Sequence, residues 1–444
     1  MNQVNIEDVE TKELNCNGCT NKCTVLRFRF PNGNTFYSGN KCEKVFFNKN
    51  SAKIKGYNAF EVKNEILFTS SSNFSQKEKN STTFNIATDN EKHATPFSFW
   101  RWAGGEARIG IPRVLNMYEN FPFWKTLFEG CGFGVVVSPQ SDTKLYQKGV
   151  GNVMSDNICF PAKLAQGHIL SLIESKVDRI FYPIVPKEEK EFTSTNNSFN
   201  CPVVSGYPDV IRSAIDPQAS HGIPFDTPIM NFANEKALKR QCWEYIKSLI
   251  PVGQLGGFSN SFSKEQKRFF NTVFEKANFV RKNWNAEFIK NQQDILKKCI
   301  ESGKLCFVVA GRPYHSDPLV NQKVGQILSD LGVDVLTEDV FRGSLNQSEG
   351  DWERLNLVSQ WSYPNRVVRA AIEVSKLPPN VQLVQLNSFG CGPDSFFMDE
   401  TGEILRQAGK NHTVLRIDEI ASPGSVRLRC RSLIESLKQK NITD

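Results

Sequence analysis

No stretch of the 444 residues approaches the run of about 18 uninterrupted apolar positions that a spanning helix needs. The amino-terminal MNQVNIEDVETKELNCNG lacks the basic-then-apolar layout of a secretory signal, so the expected location is the cytoplasm. Neither G-x-x-x-x-G-K-[ST] nor a convincing G-x-G-x-x-G occurs, which leaves the chain without a glycine-rich phosphate cradle of its own. No internal repeat is visible. Charge is not concentrated either: the net +7 is spread along the chain, and the densest basic patch, Arg427-Leu-Arg-Cys-Arg431, reads as one helix face. Nucleic acid is therefore not an expected partner.

What is present describes a soluble globular protein of two to three domains, with 39% apolar and 23% charged residues. Twelve cysteines in a reducing compartment read as ligands or core residues rather than as disulfides.

The first feature is Cys16-Asn-Gly-Cys19-Thr-Asn-Lys-Cys23, completed by Cys42 in Gly39-Asn-Lys-Cys42. Four thiolates at C-x2-C-x3-C…C spacing, with glycine within three residues of Cys19 and of Cys42, can close a tetrahedral sulfur site. So small a module lacks a core of its own, and the metal, zinc or an iron–sulfur cluster, is left open. Val25–Phe30 and Asn34–Tyr37 flank Pro31-Asn-Gly33 and read as a β-hairpin. We assign residues 1–60 to this module and 61–105 to a linker or insertion rich in Ser, Asn, Thr, Lys and Glu.

From residue 106 strands and helices alternate, which implies a parallel sheet covered on both faces. Strands are expected at Ala107–Val114, Gly134–Ser138 and Arg179–Tyr182, with helices at Tyr118–Gly130 and Ala162–Ser175. Cys201-Pro-Val-Val204 continues the alternation after a polar loop. This gives a first α/β lobe over 106–232. A helical connector follows over 233–302, its Phe269, Phe270, Val273, Phe274 and Ala277 at helical spacing and read as core. The second α/β lobe covers 303–444, opening with the buried strand Leu305–Ala310. Its expected helices include Leu319–Leu331 and Asn365–Lys376, and its strands 334–337, Val381–Leu386 and Thr413–Ile417. The fold class is α/β, two Rossmann-like lobes joined by helices, with the small four-Cys module in front.

Three further cysteines share one setting. Cys159 precedes Phe-Pro, Cys201 precedes Pro, and Cys391 precedes Gly-Pro. Cys159 lies at the start of a helix, where free backbone N–H groups and the macrodipole favour a thiolate. Proline fixes the backbone beside each sulfur and glycine lets N–H groups approach it. The three read either as ligands of one [4Fe–4S] cluster between the lobes, with the fourth iron open, or as unrelated strand-end thiols. Cys131, Cys242, Cys299, Cys306 and Cys430 read as core residues.

At this point several motifs converge: Ser155–Lys163 with Gly167-His168, Gly311-Arg-Pro-Tyr-His315, Phe389-Gly-Cys-Gly-Pro-Asp394 and Pro423–Arg429. Together they resemble the acyl-CoA dehydratase activase-related proteins, relatives of the 2-hydroxyacyl-CoA (2-hydroxyglutaryl-CoA) dehydratase D-component subunits. The resemblance covers most of the chain. It implies two Rossmann-like lobes holding an oxygen-sensitive [4Fe–4S] cluster by three cysteines, an acyl-CoA substrate, and a partner ATPase acting in trans as the electron-donating activator. It implies no membrane, and a homo- or hetero-oligomer is compatible with it. Arg312, His315 and Asp317, at a strand end, read as groups that orient substrate or donate a proton, or as a capped turn. Lys163 and His168 read as supporting or surface residues. The expected activity is that of a dehydratase-like lyase or an ATP-coupled reductase component. The alternatives are a non-enzymatic electron-transfer or scaffold subunit, and a zinc-dependent binding protein.

Overall fold

The computed structural model describes residues 9–15, 24–29, 35–38, 55–68, 101–102, 105–249, 264–343, 355, 358–419 and 423–443. They fall into two units, Met1–Lys55 and Gly56–Asp444. In the first unit β1 (Glu10–Asn15), β2 (Thr24–Arg29) and β3 (Thr35–Ser38) form an antiparallel sheet in that order. Val25 is buried between exposed Thr24 and Leu26, the period-two alternation of a strand with one covered face. β2 and β3 pair where the sequence places a hairpin. Cys16, Cys19, Cys23 and Cys42 lie outside the described residues.

The second unit begins with an extended stub and helix α1 (Ala59–Phe68), which spans the boundary between the stretches allotted to the four-Cys module and the linker. The Val335 N–H donates to the Tyr57 carbonyl at 2.8 Å, so the stub runs along the edge of a later sheet. After a two-stranded ribbon, β4 (Arg101–Trp102) with β5 (Gly105–Glu106), the first parallel sheet is built. Its elements are β6 (Arg108–Ile111), α2 (Met117–Gly130), β7 (Gly134–Val137), α3 (Thr143–Gly149), α4 (Phe160–Glu174), β8 (Arg179–Phe181), α5 (Pro202–Ala214), α6 (Pro217–His221) and β9 (Phe225–Asp226), with strand order β7-β6-β8-β9. Pro112 follows Ile111 at once and cannot donate to the ladder, so β6 stops there and not at Val114. The Val-Val after Cys201 is helical: Pro202, with φ preset and no N–H to lose, starts α5.

Helices α7 (Glu235–Ser248) and α8 (Lys264–Asn283) pack into the core of this sheet, and the Phe270, Val273, Phe274 and Ala277 stripe is buried there. Helix α9 (Ala286–Ser302) instead packs on the second sheet through Leu296 and Cys299. The second sheet is again parallel, in the order β11-β10-β12-β13. Its elements are β10 (Cys306–Ala310), α10 (Val324–Asp330), β11 (Asp334–Thr337), α11 (Ser362–Ser375), β12 (Val381–Ser388), α12 (Gly392–Gln407), β13 (Thr413–Ile417) and α13 (Pro423–Thr443). Every residue of β10 and β12 is buried. Along β10, Phe307 and Val309 face one apolar cluster while Cys306, Val308 and Ala310 face another, as a central strand with both faces covered requires.

The larger unit is therefore α/β, with two four-stranded parallel sheets. Its halves are pinned together by polar side chains. Arg366 and Arg342 from the second half hold Glu119 and Glu191 of the first. Lys163 on α4 pairs with Glu419 beyond β13. Helix α1 serves both halves: Lys63 pairs with Asp339 at 2.5 Å, and the Arg113 guanidinium sits 3.9 Å over the Phe68 ring.

Candidate metal centre

Cys159, Cys201 and Cys391 each occupy the N-cap of a helix, α4, α5 and α12, with proline in its first two positions. All three are extended, with ψ of 144°, 141° and 103°. The cause is local: proline in the first turn opens each helix because it has no N–H to leave unpaired there, and Cys201, directly before Pro202, is also driven from the helical region by the proline ring. Three helix starts thus present one thiol each, with the positive end of a macrodipole behind it.

The loops that carry Cys159 and Cys391 touch. Gly390 has φ +74°, and a Cβ placed on it would stand 2.5 Å from the Asn157 carbonyl oxygen and 3.9 Å from the Cys159 nitrogen. Only glycine lets the two backbones approach so closely. Cys159 and Cys391 also feel the charge of the neighbouring thiols. Burial pushes Cys159 up to about 12, opposed by the Ala162 backbone N–H and reinforced by Cys391 and Cys201. Burial likewise raises Cys391 to about 11, with Arg312 pulling against it. All three cysteines are part-buried.

Arg312, just beyond β10, is the cation at this meeting point. Its guanidinium pairs with Asp394 on α12 and lies 3.7 Å from the Cys391 sulfur. Burial alone would lower its pKa, but Asp394, Cys391 and Cys201 carry it upward, so it stays charged. Tyr314 feels Arg312 and all three thiols, and burial with the thiols' charge holds its hydroxyl protonated despite Arg312. The buried Tyr182 hydroxyl, raised by burial and in reach of the Cys159 charge, has no hydrogen-bond partner among the described residues. Burial also carries Tyr207, which feels Cys159 too, up to about 12.

The other candidates stand one layer back. The His315 Nδ1 accepts from the Arg312 backbone N–H at 3.1 Å, and its Nε2 lies 3.2 Å from Ser388 Oγ. Burial and the nearby Arg312 lower its pKa to about 3. Asp317 accepts from the Tyr118 hydroxyl, the Ser141 hydroxyl and the Leu319 and Val320 N–H groups, which fills the lone pairs of a structural carboxylate. His168 bridges Ser138 at 2.8 Å and Ser141 at 3.0 Å. Ser141 spends its proton on Asp317 and so accepts from Nε2, which places the neutral ring's proton there and leaves Nδ1 to accept from the Ser138 hydroxyl. Lys163 is buried in its pair with Glu419.

No group of three or more His, Cys, Asp or Glu among the described residues is gathered tightly enough for a single metal ion. The donor set is of another kind: three thiols from three loops, each with its own helix start and a shared cation. In an iron–sulfur cluster each thiolate binds a different iron, so its ligands stand farther apart than those of one ion.

Residues 108–341 match the family described as the CoA enzyme activase uncharacterised domain (DUF2229). The chain belongs to this family. No curated protein matches it. Among solved structures, tagatose-6-phosphate ketose/aldose isomerase from Escherichia coli aligns over 74% of this chain and 80% of its own, at 11% identity and a TM-score of 0.16. That likeness is too slight to bear on fold or chemistry.

The family match contains Cys159, Cys201 and the Arg312–Asp317 turn, while Cys391 lies beyond it. Sequence reasoning passed over Tyr314 and Asp394, although both stand inside motifs it quoted, and over Tyr182. Each follows the carboxyl end of a strand, the edge at which open α/β sheets gather their ligands, and that position was the available signal.

Proposed function

We propose that this chain is an iron–sulfur protein of the 2-hydroxyacyl-CoA dehydratase type, with one [4Fe–4S] cluster on Cys159, Cys201 and Cys391. One observation carries the reading: three proline-set helix starts from both halves of the larger unit each carry a thiol, Cys391 lying 3.7 Å from the Arg312 guanidinium and Cys159 and Cys201 within its electrostatic reach. Thiolates are the donors that such clusters select. When bound, the cluster supplies one-electron chemistry at low potential. Burial disfavours the Cys159 and Cys391 thiolates, so the helix starts, Arg312 and the metal together offset that cost. Arg312 also balances charge at the centre, and Tyr182 and Tyr314 offer hydroxyl donors to whatever oxygen lies near Cys159. In this reading the two sheets are Rossmann-like lobes and the setting is an anaerobic cytoplasm. A separate ATP-dependent activator donates the electron and an acyl-CoA is the substrate. The Cys16/Cys19/Cys23/Cys42 module takes zinc or a second cluster.

The test is anaerobic purification with iron, sulfide and zinc analysis, in a background where Cys16, Cys19, Cys23 and Cys42 are all serine. One cluster equivalent per chain is expected, lost from each single Cys159→Ser, Cys201→Ser or Cys391→Ser variant and kept in Cys430→Ser. Zinc without iron, or iron retained in all three variants, ends the proposal. The family's description as a CoA enzyme activase favours a second reading, in which the chain passes its electron to a CoA enzyme. Product formed from a 2-hydroxyacyl-CoA by the chain and an ATPase alone excludes that one.

A further inference from the structure

A cavity of about 270 Å³ opens at the carboxyl edge of the second sheet, between the ends of β12 and β13 and the first turn of α12. Asn387, Ser388, Phe389, Cys391, Met398 and Arg416 line it, whereas Cys159, Cys201 and Arg312 do not. The cavity therefore lies on the far side of the Phe389–Gly392 turn from Cys159, Cys201 and Arg312, with Cys391 bordering both. We propose that this cavity binds a small oxyanion, a carboxylate or phosphate group, held by the Ser388 hydroxyl, the Arg416 guanidinium and the start of α12.

The Ser388 hydroxyl is aimed by its neighbour. His315 Nδ1 is occupied by the Arg312 N–H, so the neutral ring's proton is on Nε2 and is donated to Ser388 Oγ. Ser388 is 3% exposed, and its own proton has no acceptor among the described residues; it is left as a donor for an occupant of the cavity. Arg416 supplies full positive charge from the exposed face of β13 and forms no ion pair among the described residues. Helix α12 is 16 residues long and begins at Gly392, which lines the cavity. The one carboxylate of its first turn, Asp394, is already taken by Arg312 and by the Asn387 amide at 3.0 Å, so it does not oppose an anion with a free charge. Phe389 and Met398 form an apolar shelf for the rest of a small organic acid.

Ligand-observed NMR on the full-length protein tests it, with butyrate, its neutral isostere butyramide, and inorganic phosphate as probes at low ionic strength. Saturable binding of butyrate or phosphate is expected, with butyramide not binding. Butyrate preferred over phosphate assigns the site to carboxylates, and the reverse order assigns it to phosphates. Arg416→Gln and Ser388→Ala should each weaken the bound anion at least about tenfold, the value of one charge-assisted hydrogen bond. Arg416 is exposed, so its variant decides the question if Ser388→Ala fails to fold. Butyramide binding as well as butyrate, no saturable binding of either anion, or unchanged binding in Arg416→Gln each overturn the proposal.

Discussion

At the scale of single residues, two histidines set how the protein responds to acid. Burial lowers His168 and His315 from an ordinary value of 6.5 to about 3, and both rings stay neutral inside their hydrogen bonds. Between those limits the unfolded chain binds a proton at each position that the folded chain refuses. Stability is therefore full above pH 6.5 and falls as pH drops toward 3, by about 1.4 kcal/mol per pH unit for each ring near pH 5. His168→Gln keeps a donor for Ser141 and an acceptor for Ser138 but cannot titrate. Thermal melts between pH 7 and 4 should show a shallower loss in this variant than in the wild type. Identical slopes would mean that His168 protonates freely in the fold. The same network explains Asp317: a carboxylate that caps a turn and receives Ser141 is committed to structure, whereas Arg312, a turn away, reaches a thiol.

At the scale of elements, the site is a matter of how helices begin. Gly390 is where two of those starts meet, and Gly390→Ala combines a left-handed backbone with a contact of 2.5 Å to the Asn157 carbonyl. We expect a cost of about 1–3 kcal/mol and a drop in iron bound at the centre, because the Cys391 turn must move off the Cys159 loop. Gly151→Ala, whose added Cβ meets nothing within 4 Å, is the matched control. Equal melting temperature and iron content in the two variants would remove Gly390 from the site. The Cys159 helix start was legible in the sequence because its cause is local, a proline two residues on at the head of a periodic run, whereas the helices that open after Cys201 and Cys391 were not read there. The buried strands were legible for the same reason, as runs such as Cys306–Ala310 have one reading. The stretch after Asp317 was not. A helix over Leu319–Leu331 is the periodic expectation, yet Gln322 and Lys323 take positive φ of 52° and 60°, and α10 starts only at Val324. Asn321 and Gln322 instead spend their amides on the His315 and Asp418 carbonyls, partners that spacing along the chain cannot reveal.

At the scale of the whole molecule, the least legible feature is what keeps three thiols from two halves together. Arg366 on α11 donates to both oxygens of Glu119, at 2.8 and 2.9 Å, and to both of Glu191, at 2.7 and 2.9 Å. Arg342 reaches the same two carboxylates at 2.9 and 2.6 Å. These partners are far apart in sequence, with no period to betray them. Burial would raise the Glu119 carboxyl, but Arg342 and Arg366 hold it down to about 2, so the cluster remains charged across the ordinary pH range. Arg366→Met strands two carboxylates of the first half against a single guanidinium, and the loss of one member of a buried ion network costs about 3–5 kcal/mol. Urea unfolding should show a lower midpoint of that size. Replacing Glu119 and Arg366 together by methionine should recover part of it, because no charge of that pair is then left alone. Cys159 and Cys201 belong to the half that carries Glu119, and Cys391 to the half that carries Arg366. Loosening the clamp therefore separates the thiols without touching one of them, and iron content should fall in Arg366→Met and return in the double variant. An Arg366→Met protein with a wild-type midpoint would show that apolar packing alone aligns the halves.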